Sequence, residues 1–364
     1  MFSFEPTEEQ KMLVETIHRY SAGDLRSSAH AAEEEGQFTT EVINKGWELG
    51  YLQASIPEDL GGFGERSLLT GVLVAEELAW GDLAGALNVQ APGLFVIPIY
   101  LGGTESQKVE HIPQVIEEDW KTYTSALIEP SFDFDPLDLR TSAVETDGYY
   151  VLNGDKTYVP FADRAEGMVV YAKLNDQTQG FILPKGTQGL HVGERVKLMG
   201  INGFPLYSVN LNQVRVPAEM RIGGWSGHGF SAILDSSRVA MAAMAVGLSR
   251  AAFEYSRDYA REREVFGVKV AQKQAIAFML AEMATEIEAI RLLVWEAAWM
   301  IDNSKENASK QAYLALSGAT DLAMMVTDRA VQILGGYGYI REYPVELWMR
   351  NGRGIAMLSG LVLV

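Results

Sequence analysis

The chain has 364 residues, 48% apolar and 21% charged. That is enough to bury two or three cores, and it is the composition of an ordinary globular protein. Without cysteine it can hold no disulfide framework, thiolate metal site or cysteine nucleophile, and a formal net charge of -18 excludes nucleic acid, whose phosphates need a basic face, though not a small anion held by local Arg residues and backbone N–H groups.

The opening MFSFEPTEEQKMLVETIHRY is acidic and amphipathic, unlike a signal peptide or mitochondrial presequence. No stretch reads as apolar for long enough to span a bilayer. The expectation is a cytoplasmic protein with no membrane association. Residues 1–122 read as a helical domain. Thr7 and Gln10 have capping-box spacing, and Leu13, Ile17 and Tyr20 recur at helical spacing. SLLTGVLVAEELAW and TESQKVEHIPQVIEE are further helices, with IPEDLGGFG as a loop.

Residues 123–228 switch to period two and predict an antiparallel β-domain. Asp147-Gly148 and Asn153-Gly154 are both read as hairpin turns between strands. Residues 229–364 return to long helices and predict a bundle; Ile276, Met279, Met283, Ile287, Ile290 and Val294 form one apolar stripe.

Two stretches carry candidate chemistry. REREVFGVKVAQKQ puts Arg263, Phe266, Gly267 and Gln274 at the end of one helix and the start of the next. An Arg beside a Gly turn can grip a phosphate through its planar fork, or it can be a solvated corner residue. VQILGGYGY puts Gln332 near Gly335 and Gly336, which permit close approach to the backbone; a helix C-cap is the plainer use. The five His (18, 30, 111, 191, 228) show no metal spacing, so no metal site is expected.

Taken in order, these stretches resemble the acyl-CoA dehydrogenase family over essentially the whole chain. The family's ERxxFG…Q appears as Glu262, Arg263, Phe266, Gly267 and Gln274, and its QxxGGxG as Gln332, Gly335, Gly336 and Gly338. REYPVELWMRNGR, VLNGDKTYV and LNQVRVP also match. The resemblance implies a mainly α fold with a central β-domain: an N-terminal helical domain, a middle antiparallel β-domain and a C-terminal four-helix bundle. It further implies dimers of dimers with FAD at the dimer interface. There Arg263, Phe266, Gln274, Gln332, Gly335 and Gly336 would meet the cofactor held mainly by a neighbour. The implied reaction is α,β-dehydrogenation of an acyl-CoA thioester, with reoxidation by an electron-transfer flavoprotein.

The chain departs from the family where the chemistry sits. The usual Glu falls at Ser359, and the alternative position, just before Arg238, falls at Ser237. A serine hydroxyl is too weak a base to take an α-proton. No catalytic residue is therefore assigned; Asp235 and Arg238 remain substrate-binding candidates. The family's TEPGAGSD loop is IEPSFDFD, whose Phe132 is bulky and whose Asp133 would repel a diphosphate. WIT is YVP, so Pro160 offers no hydrogen bond while Tyr158 keeps a ring able to stack. The chain also stops soon after the place of the missing Glu, at LVLV, where the family continues into a helix that meets the cofactor. The pattern favours a base-lacking subunit of a hetero-oligomer that lends half of an FAD site to a homologous subunit. The alternatives are a homo-oligomeric flavoenzyme of altered chemistry and a scaffold without cofactor.

Overall fold

Local signals at the N-terminus act as their chemistry dictates. In the computed structural model, which describes residues 5–117 and 119–364, Thr7 and Gln10 form both halves of a capping box, and α1 runs Glu8–Tyr20. Met1–Phe4 of the quoted opening lie outside the described residues. Then come α2 (Arg26–Glu35), α3 (Thr40–Trp47), α4 (Leu68–Gly81), α5 (Leu83–Gln90), α6 (Gly93–Gly102) and α7 (Glu105–His111). The predicted helix over TESQKVEHIPQVIEE stops at His111, because Pro113 disfavours helical geometry at the residue before it and lacks a donor. Glu118 of that stretch is outside the described residues.

The middle segment forms a seven-stranded sheet: β1 (Tyr123–Ala126), β2 (Ser142–Thr146), β3 (Tyr149–Pro160), β4 (Gly167–Leu174), β5 (Gln177–Pro184), β6 (Leu190–Arg195) and β7 (Leu206–Pro217). The order is β1-β4-β2-β3-β7-β6, with β5 on β4. Most pairings are antiparallel, but β1 and β2 pair parallel with β4, so the sheet is mixed. Asp147-Gly148 is the β2–β3 turn. Asn153-Gly154 is not a turn: it lies inside β3, where the register to β7 slips between Leu152 and Gly154. A side chain at Gly154 would strike Thr141, its Cβ 2.7 Å from the Thr141 Cα, and Asn153 Oδ1 accepts the Gln213 N–H at 2.9 Å. The pair marks a bulge.

The last segment holds α8 (Phe230–Glu262), a two-strand ribbon of β8 (Glu264–Val265) and β9 (Val268–Lys269), α9 (Gln274–Asp302), α10 (Ala308–Leu334) and α11 (Val345–Gly354). Along the α9 stripe Met283, Ile287 and Val294 are buried, while Ile276, Met279 and Ile290 pack at the core's edge. The helix α8 is long and apolar enough to cross a membrane, contrary to the sequence reading, but 83% of its apolar window is buried inside the protein. Its apolarity answers to neighbours on several sides. On one side α4 approaches so closely that a Cβ at Gly247 would lie 2.0 Å from the Glu76 carbonyl oxygen. The N-terminal helices and the bundle accordingly share one core, from Ile17 and Leu78 through Met244 to Val326.

Charges bind the same helices. Arg250 of α8 donates to Glu76 at 2.7 Å and to Glu77 at 2.8 Å, and Arg291 of α9 reaches Glu76 at 2.6 Å. The His18 ring meets Glu77. Burial pushes the Glu77 carboxyl up, but Arg250 and His18 more than reverse this and hold it below the usual range.

His228, at the entry to α8, accepts the Gly180 N–H through Nε2 at 2.9 Å. Burial, helped by the Arg221 charge, lowers its pKa from 6.5 to about 4. The native state therefore keeps His228 neutral where the unfolded chain takes up a proton. Its contribution is complete above pH 6.5 and is lost as pH falls toward 4; such a shift amounts to about 3 kcal/mol. Urea unfolding at pH 7 and pH 4.5 should show this loss, and His228→Gln should flatten it.

Candidate functional site

Two pockets are built from the segments singled out in the sequence. The first is a cleft of about 480 Å³ between the 128–134 loop, β3 and the turn after α11. Tyr158 and Ser359 both line it. Tyr158 sits in β3 at φ 52°, inside a second register slip against β7 between Lys156 and Val159. A left-handed backbone is costly for a bulky residue and persists only where neighbours enforce it. Here the Thr157 N–H donates to the Ile128 carbonyl at 2.9 Å and ties the strand to the loop.

Beneath the loop Lys156 donates to Glu129 at 2.9 Å and to the Leu127 carbonyl at 3.0 Å. Glu129 also accepts the Thr141 and Arg140 N–H groups at 2.8 and 2.7 Å. Burial drives the Lys156 pKa down to about 8. Burial pushes Glu129 up, but the Lys156 charge and the hydrogen bonds outweigh it and leave the carboxyl below its usual value. Although Glu129 lines the cleft, its oxygens are thus committed to holding the loop.

The two serines at the expected base positions come together. The Gly360 N–H donates to Ser237 Oγ at 2.9 Å, so the start of α8 and the 355–360 stretch meet beside the cleft. Asp235 and Arg238 are not brought to it. They pair at 3.0 Å, Asp235 also accepts the Ser309 hydroxyl, and Arg238 stacks over Tyr313; both turn toward α10. Helical geometry separates Asp235 from Ser237.

The loop differs from its expected character. Arg140 holds Asp133 at 2.7 and 2.8 Å, and the Ser131 hydroxyl bonds the same carboxylate, so the acid's charge is met within the loop. Hydrogen bonding from Ser131, with Arg140 alongside, lowers the Asp133 pKa. Phe132 is fully exposed at the cleft rim, so its ring leaves the interior open.

The second pocket, about 450 Å³, gathers Arg263, Tyr259, Tyr337, Gly335 and Gly336. The Arg263 guanidinium lies 5.1 Å from the Tyr337 ring centroid. Arg263 has no carboxylate partner among the described residues. Gly335 lies at φ 60°, while Gly336 does not have a positive φ, and a Cβ on either would meet nothing within 4 Å. Nothing inside the chain requires glycine at 336; something approaching from outside would. A free cation beside two open glycines fits a phosphate-bearing group such as a dinucleotide. Gln274 and Gln332 are exposed and do not line the pocket. Tyr259 was missed in the sequence, although it precedes Arg263 by four residues, one helical turn, and so shares its face.

Phe266 and Gly267 are not a simple helix corner. They form the tip of the β8–β9 ribbon, with φ 55° and 76°, as a two-residue hairpin turn demands. The Phe266 ring is 95% exposed.

The pockets are tied to opposite ends of α8. Ser237 and Arg263 are 26 residues apart in sequence, about 39 Å along the axis at 1.5 Å per residue. No dinucleotide spans that distance, so one cofactor cannot use both pockets of one chain.

Comparison with known proteins agrees with this architecture. Residues 7–119, 124–214 and 227–361 match the N-terminal, middle and C-terminal domains described for acyl-CoA dehydrogenase. The chain belongs to the acyl-CoA dehydrogenase family. Among curated relatives, the caffeyl-CoA reductase-Etf complex subunit CarC of Acetobacterium woodii is 34% identical, over 97% of this chain and 95% of its own. Butyryl-CoA dehydrogenase of Megasphaera elsdenii is 32% identical with a TM-score of 0.88, covering 99% of this chain and 96% of that one. A structure described as the FAD complex of PigA, 24% identical over 99% of this chain and 96% of its own, shares the acyl-CoA dehydrogenase fold with a TM-score of 0.90.

Phe266→Gly removes a bulky residue from a left-handed position. It should leave the isolated chain at least as stable in urea unfolding, while sedimentation shows weaker association.

Proposed function

We propose that this acyl-CoA dehydrogenase family chain serves FAD-dependent α,β-dehydrogenation of an acyl-CoA thioester as a base-lacking subunit, and that its Arg263 pocket lends half of the FAD site to a homologous partner chain. The observation that carries this reading is the tie of the two pockets to opposite ends of α8, which requires a second chain wherever one cofactor uses both kinds of pocket. FAD, when bound, supplies a hydride acceptor.

The chain's own residues supply binding rather than proton transfer. Arg263 offers a cation for the diphosphate, Gly335 and Gly336 let the ligand reach the backbone, and Phe266 presents a ring at the ribbon tip. Gln274 and Gln332 remain exposed amides available to the assembled site. On the cleft side the Lys156–Glu129 pair keeps the loop in place, and Tyr158 would flank a flavin only where one occupies this chain's own cleft, as in the second reading below. Neither Ser359 nor Ser237 can accept an α-proton at neutral pH; the partner supplies that base. CarC, a subunit of a caffeyl-CoA reductase-Etf complex, supports an electron-transfer flavoprotein as the redox partner of the assembly; in the dehydrogenation direction that partner would take the electrons, in a cytoplasmic setting.

A second reading has its own support. The cleft is open, Asp133 is paired with Arg140, and Phe132 lies exposed at its rim. A homo-oligomer with FAD in every chain and altered chemistry would use that cleft.

Flavin released from the denatured protein separates the two. The chain purified alone should carry little FAD, and co-expression with a homologue bearing the cleft Glu should give half-stoichiometric flavin. Equimolar FAD in the chain alone would establish the homo-oligomer instead. In the homo-oligomer reading Ser359→Glu should install the missing base: in the FAD-loaded chain without a partner, exchange of the acyl α-proton with deuterated solvent should rise by about a hundred-fold or more, the usual scale for a positioned general base, whereas in the lending reading the partner's base already sets the exchange and the change should be small.

A further inference from the structure

Ser359 lines the cleft, and four and five residues on Leu363 and Val364 line a separate cavity of about 80 Å³. Leu52, Val74 and Ile97 make much of its wall apolar. One polar group in it stands apart. Gln90, the last residue of α5, is 2% exposed, yet neither Nε2 nor Oε1 has a hydrogen-bond partner. Its neighbour Asn88 shows what a buried amide on this helix normally does: its Nδ2 donates to the Ala84 and Gly203 carbonyls at 2.8 and 2.9 Å. Glu65 on the cavity is exposed to solvent, and the remaining polar side chains on it are engaged. Tyr51 donates to the Val89 carbonyl, Ser55 to the Leu52 carbonyl and Ser67 to Asp302, while Thr70 accepts from Gln10. A buried amide without partners is costly to the fold and points to a missing ligand group.

We propose that this cavity receives the far end of the acyl group and that Gln90 selects an acyl chain ending in a hydroxyl; this rests on the acyl-CoA reading above. A hydroxyl both donates and accepts, so it can satisfy Oε1 and Nε2 together. A methyl end leaves both atoms unpaired. A carboxylate engages Nε2 alone, meets Oε1 with repulsion, and loses its hydration between apolar walls. The volume suits a terminal group of a few atoms rather than a whole acyl chain. Until ligand arrives, water can occupy the amide; the hydroxyl replaces it without losing the bonds.

The test is calorimetric binding to the FAD-loaded assembly containing the full chain, with alkanoyl-CoAs of four to eight carbons and their ω-hydroxy counterparts, fitted with separate sites for this chain and its partner, this chain's being the one that Gln90→Leu alters. At one chain length the hydroxyacyl-CoA should bind about ten-fold or more tighter than the alkanoyl-CoA, in the sense expected of sites that hydrogen-bond a ligand hydroxyl. Gln90→Leu should reverse the order and, by removing an unpaired buried amide, raise the melting temperature of the ligand-free protein. Equal binding, or alkanoyl preference in the unmodified protein at every length, overturns the assignment alone. Failure of every acyl-CoA to bind overturns it together with the acyl-CoA reading.

Discussion

The whole arrangement depends on α8 being held buried between neighbours from both ends of the chain. Its contact with α4 at Gly247 leaves no room for a methyl group. Beside that contact Glu76 and Glu77 are buried, and Arg250 and Arg291 meet them. Such buried pairs add little net stability over an apolar core, but breaking one strands a charge. Their effect here is registry: they fix how far α4 and α9 slide along α8. With the rod so fixed, its first turns anchor the cleft-lining 355–360 stretch through the buried Ser237, and its far end delivers Arg263 to the second pocket.

Much of the fold was legible because local chemistry and tertiary packing agree. Thr7 and Gln10 announce a helix start, Asp147-Gly148 announces a turn, and the α9 stripe announces a buried face. Where they disagree, tertiary contact prevails. Asn153-Gly154 has the composition of a hairpin turn, but the approach of Thr141 and the bond from Gln213 make it a bulge in a continuing strand. Phe266-Gly267 reads as a turn between helices, and the sequence hides that it is a hairpin tip, since a bulky aromatic is a poor choice for a positive φ. The apolar length of α8 is masked in the sequence by the Ser and Arg residues that interrupt it.

The site was legible in part for a similar reason. Arg263 and Gly335-Gly336 are recognisable by residue type and meet in one pocket. The two serines were separate observations in the sequence, and the Ser237–Gly360 bond makes them one place. The effect of Asp133 could not be read, because its sign depends on Arg140, seven residues away along a loop with no period. Nor could the role of Gln90, since an amide in an apolar run looks the same whether or not a carbonyl waits for it.

The β8–β9 ribbon has a consequence for how copies of such chains recognise one another. Its two-residue tip lies outside the core and Phe266 is 95% exposed, so what the tip carries answers to another chain rather than to folding. The tip is also part of the family motif, which leaves the surfaces around the ribbon as the place where like and unlike copies come to be told apart after gene duplication, while the tip, the rod and the shared core remain as they are.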